Sequence, residues 1–390
     1  MLLCLMGAAN TVSIGAFPAL LPELGAGAGL ADWQLGAVAG AYGLARMVAN
    51  VPAGLFMTHH LGRALVVAPA FLLAGALLMA GADTFATLMI GRVLMGVGHT
   101  LTTLGALTAI LRYHGGSRLA SWLGAMEFAA MAGVLSGAAL LSILPRTVPW
   151  PAAWLLACAP IAASLLLLPM VRRRMPAAAG DEPRPLFARS QRVAAAPVPS
   201  GSAVLEPVRL AVLAFAAGGA VSLSYATVEQ FVIPLRGSRE FGLDRAGIAR
   251  LLMLSQAVDI AALLPLGALA DRRGTPRVLG GVLLLFSLTL GLIGFGSLPL
   301  VVVGCALFGF SMAGWMLPVG ILRSATPPSQ VAWRTALYRV FVDGGMFLGP
   351  FASGLLTARH AGVLPGVMVV VLAGVGVALL GAARLTARSR

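Results

Sequence analysis

Polar positions along most of this chain are brief interruptions between apolar runs of about twenty residues, the length an α-helix needs to cross a bilayer. Twelve such runs are predicted. The first six are Leu2–Leu24, Gln34–Met57, Ala64–Ala82, Thr87–Leu111, Ala120–Ile143 and Ala152–Val171. The second six are Leu210–Leu235, Ala246–Ala270, Val278–Gly296, Pro299–Leu322, Thr335–Thr357 and Gly362–Ala382. Residues 172–209 between them are rich in Pro, Ala and Arg, too poor in large apolar side chains to bury a core, and read as a flexible linker. The expected class is an all-α integral membrane protein with twelve transmembrane helices in two pseudo-symmetric six-helix bundles. Its parts are a first bundle (1–171), a cytoplasmic linker (172–209), and a second bundle with a short tail (210–390). The short alternating segments of a transmembrane β-barrel are absent.

The two halves carry traces of one another. Pro52, Gly54 and Gly62 in VPAGLFMTHHLGR precede Pro265, Gly267 and Gly274 in LPLGALADRRG by 213, 213 and 212 residues, so the first copy has one extra residue in its short loop. A duplicated helix–loop–helix in a membrane composition is the construction of many secondary transporters.

Composition narrows the chemistry. Apolar residues make up 59% of the chain and charged ones 10%, against roughly a quarter charged in soluble domains. The net charge is +14 and every basic side chain is Arg, with no Lys. Without Lys the chain has no G-x-x-x-x-G-K-[ST] loop to cradle a nucleotide, and no amine to form a Schiff base with retinal or pyridoxal phosphate. Scattered Arg argues against nucleic-acid binding. Cys4, Cys158 and Cys305 are isolated, and His59 and His60 have no third ligand nearby, so no metal site, disulfide framework or cofactor is expected. The first apolar run lacks a preceding basic region and reads as a retained span.

Arg distribution sets the expected orientation. Arg63, Arg112, Arg118, Arg172, Arg173, Arg174, the linker, Arg272, Arg273, Arg277, Arg323, Arg334 and the tail fall on one side; Arg146, Arg236, Arg239, Arg245 and Arg359 fall on the other. Arg-rich loops stay in the cytoplasm, so both termini and the linker are expected inside a multi-pass protein of the cell (inner) membrane.

Three stretches bear a family likeness. Gly267-Ala-Leu-Ala-Asp271-Arg272-Arg-Gly274 matches a G-x-L-a-D-r-x-G pattern, Arg92-Val-Leu-Met-Gly96-Val-Gly98 matches R-x-x-x-G-x-G, and Pro18-Ala-Leu-Leu-Pro22 is similar to a proline-containing end of a first span. By these the chain resembles the major facilitator superfamily, whose fold is two six-helix halves. The resemblance implies that Gly267, Asp271, Arg272 and Gly274 form a cytoplasmic gate motif. It also implies that spans two and eleven, and five and eight, meet between the halves. Thr58-His59-His60 departs from the acid–base pair expected after span two. Span five has Gly133-Val134 where antiporters carry Gly-Pro; the Gly349-Pro350 pair is in span eleven.

Ionisable groups within spans are functional candidates, since a charge at the bilayer centre costs about 2.5–3.5 kcal/mol on insertion scales. A rise of about 1.5 Å per residue puts Arg46, Glu127, Asp259 and Asp343 in one layer, roughly 10–12 Å from the cytoplasmic edge. On the family arrangement Arg46 stands beside Asp343 and Glu127 beside Asp259, while Arg339 can reach Asp343 at i, i+4. Two readings stay open: an ionic lock between the halves, or proton coupling by two carboxylates that cannot both ionise cheaply. Arg92 and Glu229 have no repeat counterparts, Cys305 and Phe17 standing in their places. Arg92 reads as an anion or proton site or as a structural hydrogen-bond donor. Glu229 reads as a cavity acid or as a hydrated residue at the outer mouth. Phe17 and Tyr225 are further candidates for a substrate route.

The resulting expectation is a transporter, not an enzyme, moving a small-molecule substrate by alternating access, with protons as coupling partner, export as direction and a monomer in the lipid bilayer. Uptake or facilitated diffusion of a metabolite is one alternative. A transport-inactive membrane sensor or assembly protein is the other.

Overall fold

The structure is a computed structural model that describes residues 2–113, 119–174, 201–327, 330–360 and 362–388. Arg118, residues 175–200 of the expected linker and the last two residues of the tail lie outside them. Apolar chain in lipid must satisfy its backbone hydrogen bonds internally, and helices do so throughout.

The first half comprises α1 (Leu2–Ala28), α2 (Asp32–Ala80), α3 (Phe85–Tyr113), α4 (Leu119–Ile143) and α5 (Trp150–Arg174). The second comprises α6 (Gly201–Thr227), a π-helical turn (Val228–Val232), α7 (Ile233–Arg239), α8 (Arg245–Arg273), α9 (Thr275–Phe295), α10 (Leu298–Met312), α11 (Leu317–Ser324), α12 (Val331–His360) and α13 (Val363–Arg388). The helices α5 and α6 thus carry regular structure into both ends of the stretch expected as linker.

Among the described residues, eleven helical segments are long and apolar enough to cross a membrane. One of them, α2, has 49 residues and would extend about 73 Å if straight, more than twice a hydrocarbon core. It doubles back. His60 leaves the helical region at φ −131°, ψ 37°. On either side of it Met57 and Leu65 both approach Gly105 of α3, while Ala45 meets Gly96 and Leu72 meets Gly98 two residues on. Spans two and three therefore run side by side in opposite directions, so that the eleven segments of the described residues make about twelve crossings. The loop expected at Thr58-His59-His60 is reduced to one irregular residue. Its counterpart in the second half is a true break: Gly274 takes φ +88°, a conformation that favours glycine, and Pro276 helps start α9.

Two further spans differ from straight helices. Span seven runs through α6, the π-helical turn and α7. Span ten is broken between Met312 and Leu317, where Pro318 near the start of α11 cannot continue the preceding hydrogen-bond ladder.

Glycines govern how closely the helices approach. Gly133 of α4 rests on Ala8 and Thr11 of α1, and its repeat counterpart Gly349 of α12 rests on Leu223 and Thr227 of α6. Between the halves, α2 packs on α12 with Gly36 against Pro350, Gly40 against Phe347, Gly43 against Met346, and Gly354 against Asp32 and Trp33; α4 packs on α8. Such small-residue seams suit membrane helix association, where backbone proximity substitutes for hydrophobic drive. Apolar side chains such as Leu264, Ile143, Leu166 and Val370 point outward, as in a multi-pass membrane protein.

Candidate functional site

The α2–α12 seam ends on an ion pair that joins the halves. Arg46 Nη2 lies 2.9 Å from Asp343 Oδ1, with Asp343 1% exposed and Arg46 17%. Asn50, one turn beyond Arg46, donates its amide to Asp343 Oδ2, and Arg46 Nη1 meets Met346 Sδ at 3.5 Å. The Tyr42 ring lies beneath the guanidinium, 5.8 Å from ring centroid to Cζ. Tyr42, Arg46 and Asn50 fall at i, i+4 and i+8, so one face of α2 supplies all three.

Arg339 makes no ion pair with Asp343 among the described residues: Arg46 and Asn50 already occupy both carboxylate oxygens. Arg339 instead faces a mixed field from Arg46, Asp343 and Glu127. Glu127 in turn has Arg339 and then Arg46 as its strongest charged neighbours. Among the described residues no hydrogen bond joins Glu127 to Asp259, although their helices pack. The acid acting most strongly on Asp259 is Glu229, ahead of Glu127.

Glu229 is 3% exposed, so the hydrated outer position is not the one it takes. It sits on the π-helical turn, a distortion that often accompanies functional sites. The Tyr225 hydroxyl donates to its Oε1 at 3.2 Å and Gln256 Nε2 donates to the same oxygen at 3.3 Å. Asp259, three residues along α8 from Gln256, has a buried Oδ1 with no donor. Tyr225 lies nearly parallel to Phe308, ring centroids 6.4 Å apart.

Arg92 is buried, with no carboxylate in ion-pair contact among the described residues. It donates to the carbonyls of Val38 at 3.3 Å and Ala39 at 3.4 Å, and its guanidinium covers the Phe17 ring at 3.6 Å and the Tyr42 ring at 5.0 Å. Those carbonyls and ring faces satisfy the cation as a structural donor would be satisfied. Phe17 is correspondingly walled in by Arg92 and edge-on Trp154, with 1% exposure.

Four polar residues of this region were not singled out by the sequence. His99 is buried, its Nδ1 without a partner and its ring 5.4 Å from Tyr42. It follows Arg92 by seven residues, two helical turns on one face, which is the signal available in the sequence. Tyr42, whose hydroxyl is also unpartnered, and Asn50 flank Arg46 by one turn each; Gln256 precedes Asp259 by three.

The gate-motif residues Asp271, Arg272 and Gly274 are exposed and Gly267 half-buried, and among the described residues the side chains of Asp271 and Arg272 make no ion pair or hydrogen bond. The ties lie at the other end of the molecule, away from the chain termini. There Arg245 reaches Glu23 at 3.2 Å and the carbonyls of Pro145 and Val148; Arg239 holds Asp32 at 2.6 and 3.0 Å; Arg146 pairs with Asp244. Each of these three ion pairs joins one half to the other. The Arg146 contact holds the Asp244 carboxyl below the usual carboxylate range, helped by the Gly247 N–H that Asp244 caps at the start of α8.

The sequence profile of the Major Facilitator Superfamily matches residues 1–237 and 210–389, the whole chain between them. Solved structures share the fold at low identity. A POT family transporter in complex with a thioalcohol-conjugated peptide superposes with a TM-score of 0.74 at 12% identity, over 99% of this chain and 94% of that one. The nucleoside transporter NupG gives 0.70 at 13%, over 98% of each chain. A bacterial homologue of the human lysosomal transporter Spinster, in an inward-facing and unoccupied conformation, gives 0.69 at 15%, over 98% and 92%. No curated protein matches.

Proposed function

We propose that this chain, which belongs to the major facilitator superfamily and is a membrane transporter, moves a small organic solute by alternating access, exporting it in exchange for protons. The observation that carries the reading is the uneven distribution of ties between the halves. Three cross-half ion pairs hold the end away from the termini, and Arg46–Asp343 holds the seam deeper in, whereas Asp271 and Arg272 at the termini end are unpaired among the described residues. Ties concentrated at one end, with a single described ion pair nearer the other, suit a pair of bundles that rock against one another.

Proton coupling rests on Glu229, which is buried, and Asp259, half-buried with one oxygen enclosed, neither with an Arg in ion-pair contact among the described residues, rather than on a Glu127–Asp259 pair. Losing a proton in place costs dearly in low dielectric, so movement of the site between aqueous faces is what lets each carboxyl exchange its proton. Export is the direction proposed on the premise that proton and solute occupy the same carboxyls in turn, so that protons moving inward down their gradient drive solute out.

The test uses purified protein reconstituted in proteoliposomes with a panel of radiolabelled solutes, with and without an imposed pH gradient. Solute movement that follows the gradient, and reverses when the gradient is reversed, is expected. Flux indifferent to the gradient would transfer the assignment to facilitated diffusion, and no flux across the panel would favour a transport-inactive sensor.

A further inference from the structure

The second half offers unsatisfied hydrogen-bond acceptors without matching donors. Gln256 is 7% exposed; its amide nitrogen is spent on Glu229, and its Oε1 has no partner. Asp259 Oδ1, one helical turn away, is buried and equally without a donor. Buried oxygens of this kind are nearly always satisfied, and two of them three residues apart on one helix ask for N–H or O–H groups supplied from outside the protein. The local charge has the same sign. Arg46 is taken by Asp343, Arg92 by two carbonyls and two rings, and Arg339 stands on α12 in the field of Glu127 and Asp343. Glu229 and Asp259 therefore share a region where no described Arg neutralises either. Beside them stands the half-buried ring of Tyr225, backed by the fully buried Phe308 lying nearly parallel to it, an aromatic face that attracts a cation's apolar body and its charge alike.

We infer that this region binds an organic cation: an amine with at least two N–H donors, its charge set against Asp259 and Glu229, its donors on Asp259 Oδ1 and Gln256 Oε1, and its aromatic or apolar body on the ring of Tyr225. The inference deepens the transporter reading by naming the substrate class, and depends on that reading only for the claim that the bound amine is carried. Departure of the amine leaves carboxylates that protons can neutralise, so amine and proton compete for one site. The other titratable groups facing it are Tyr225 on α6, Glu127 on α4 and Cys305 on α10.

The test is equilibrium binding to the purified full chain in detergent at pH 7, using compounds of one body and three charges: phenethylamine, phenethyl alcohol and phenylacetate, with naphthylmethylamine as a larger amine. The amines are expected to bind at least tenfold more tightly than the alcohol or the acid. Asp259→Asn should weaken amine binding at least tenfold, Gln256→Leu several-fold, and Asp259→Glu less than Asp259→Asn. The charge series on the unaltered protein stands whether or not a variant folds. Failure of both amines to bind, equal binding of the acid or alcohol, or an Asp259→Asn protein that binds amines unchanged would each overturn the inference. The same compounds in proteoliposomes separate the two claims: carriage of the alcohol or acid without amine binding sinks the site and keeps the transporter, whereas amine binding without carriage does the reverse.

Discussion

Arg46→Gln would leave Asp343, 1% exposed, as a buried carboxylate with only the Asn50 amide to hold it. Removing one member of a buried ion pair costs about 3–5 kcal/mol, because the remaining charge keeps its desolvation penalty and loses its compensation. The retained Asn50 hydrogen bond puts Arg46→Gln near the lower limit, ~3 kcal/mol. Asp343→Asn should cost less, ~1–2 kcal/mol, since Arg46 is partly exposed and can recruit water. The double variant replaces the charges by two amides able to hydrogen-bond each other, and neutral replacement of a buried pair is often close to neutral in stability. Taken at ~1 kcal/mol, the double variant implies a coupling of about 3–4 kcal/mol. Reversible denaturant unfolding of the four proteins in one detergent measures the cycle. Independent sites add within about 0.5 kcal/mol, so additivity at that level would refute the claim that this pair ties the halves.

Other consequences are open to direct measurement. The Asp244 carboxyl is held below the usual range, so its contribution is present at all pH values above that range and is lost only as pH falls through its depressed pKa. The Arg146–Asp244 contact should therefore persist from pH 7 to 5 and open below about pH 4, read as the distance between labels on the α4–α5 loop and the start of α8. A side chain at Gly36 would meet the Pro350 carbonyl and the Gly354 backbone, which cannot step aside. Gly36→Val should then cost ~1–3 kcal/mol in unfolding free energy, while Gly54→Val, with open space around it, should cost under ~1 kcal/mol. Arg92→Lys keeps the charge but loses the planar contact with Phe17 and one of its two carbonyls; a loss of ~1–3 kcal/mol is expected by the same unfolding assay.

The features legible in the sequence were those fixed by the bilayer itself. Apolar run length fixed the crossings, and helix rise placed Arg46 and Asp343 at one depth before their contact was visible. Local backbone devices were harder. The turn at His60 carries no Gly or Pro of its own, so nothing marks it as nearly loopless, and the π-helical turn at Val228–Val232 has no compositional sign. Polar partners were missed because each is ordinary alone: Asn50, Gln256 and His99 acquire meaning only one or two turns from a charged residue on the same face. Arg92 shows the converse. An unmatched buried charge looks chemical in a sequence, and the two carbonyls and two aromatic rings that surround it become visible only in the fold.

Rocking of the two halves is the claim on which the account depends, and pulsed electron resonance distances in lipid nanodiscs test it most directly. One spin-label pair would replace Arg63 and Arg273 at the termini end, the other Ala31 and Glu240 at the opposite end, all four exposed, with the three native cysteines removed. The account predicts that lowering pH or adding transported solute shifts the two distances in opposite directions, one end closing as the other opens. Two distances that stay fixed, or that lengthen and shorten together, would contradict it.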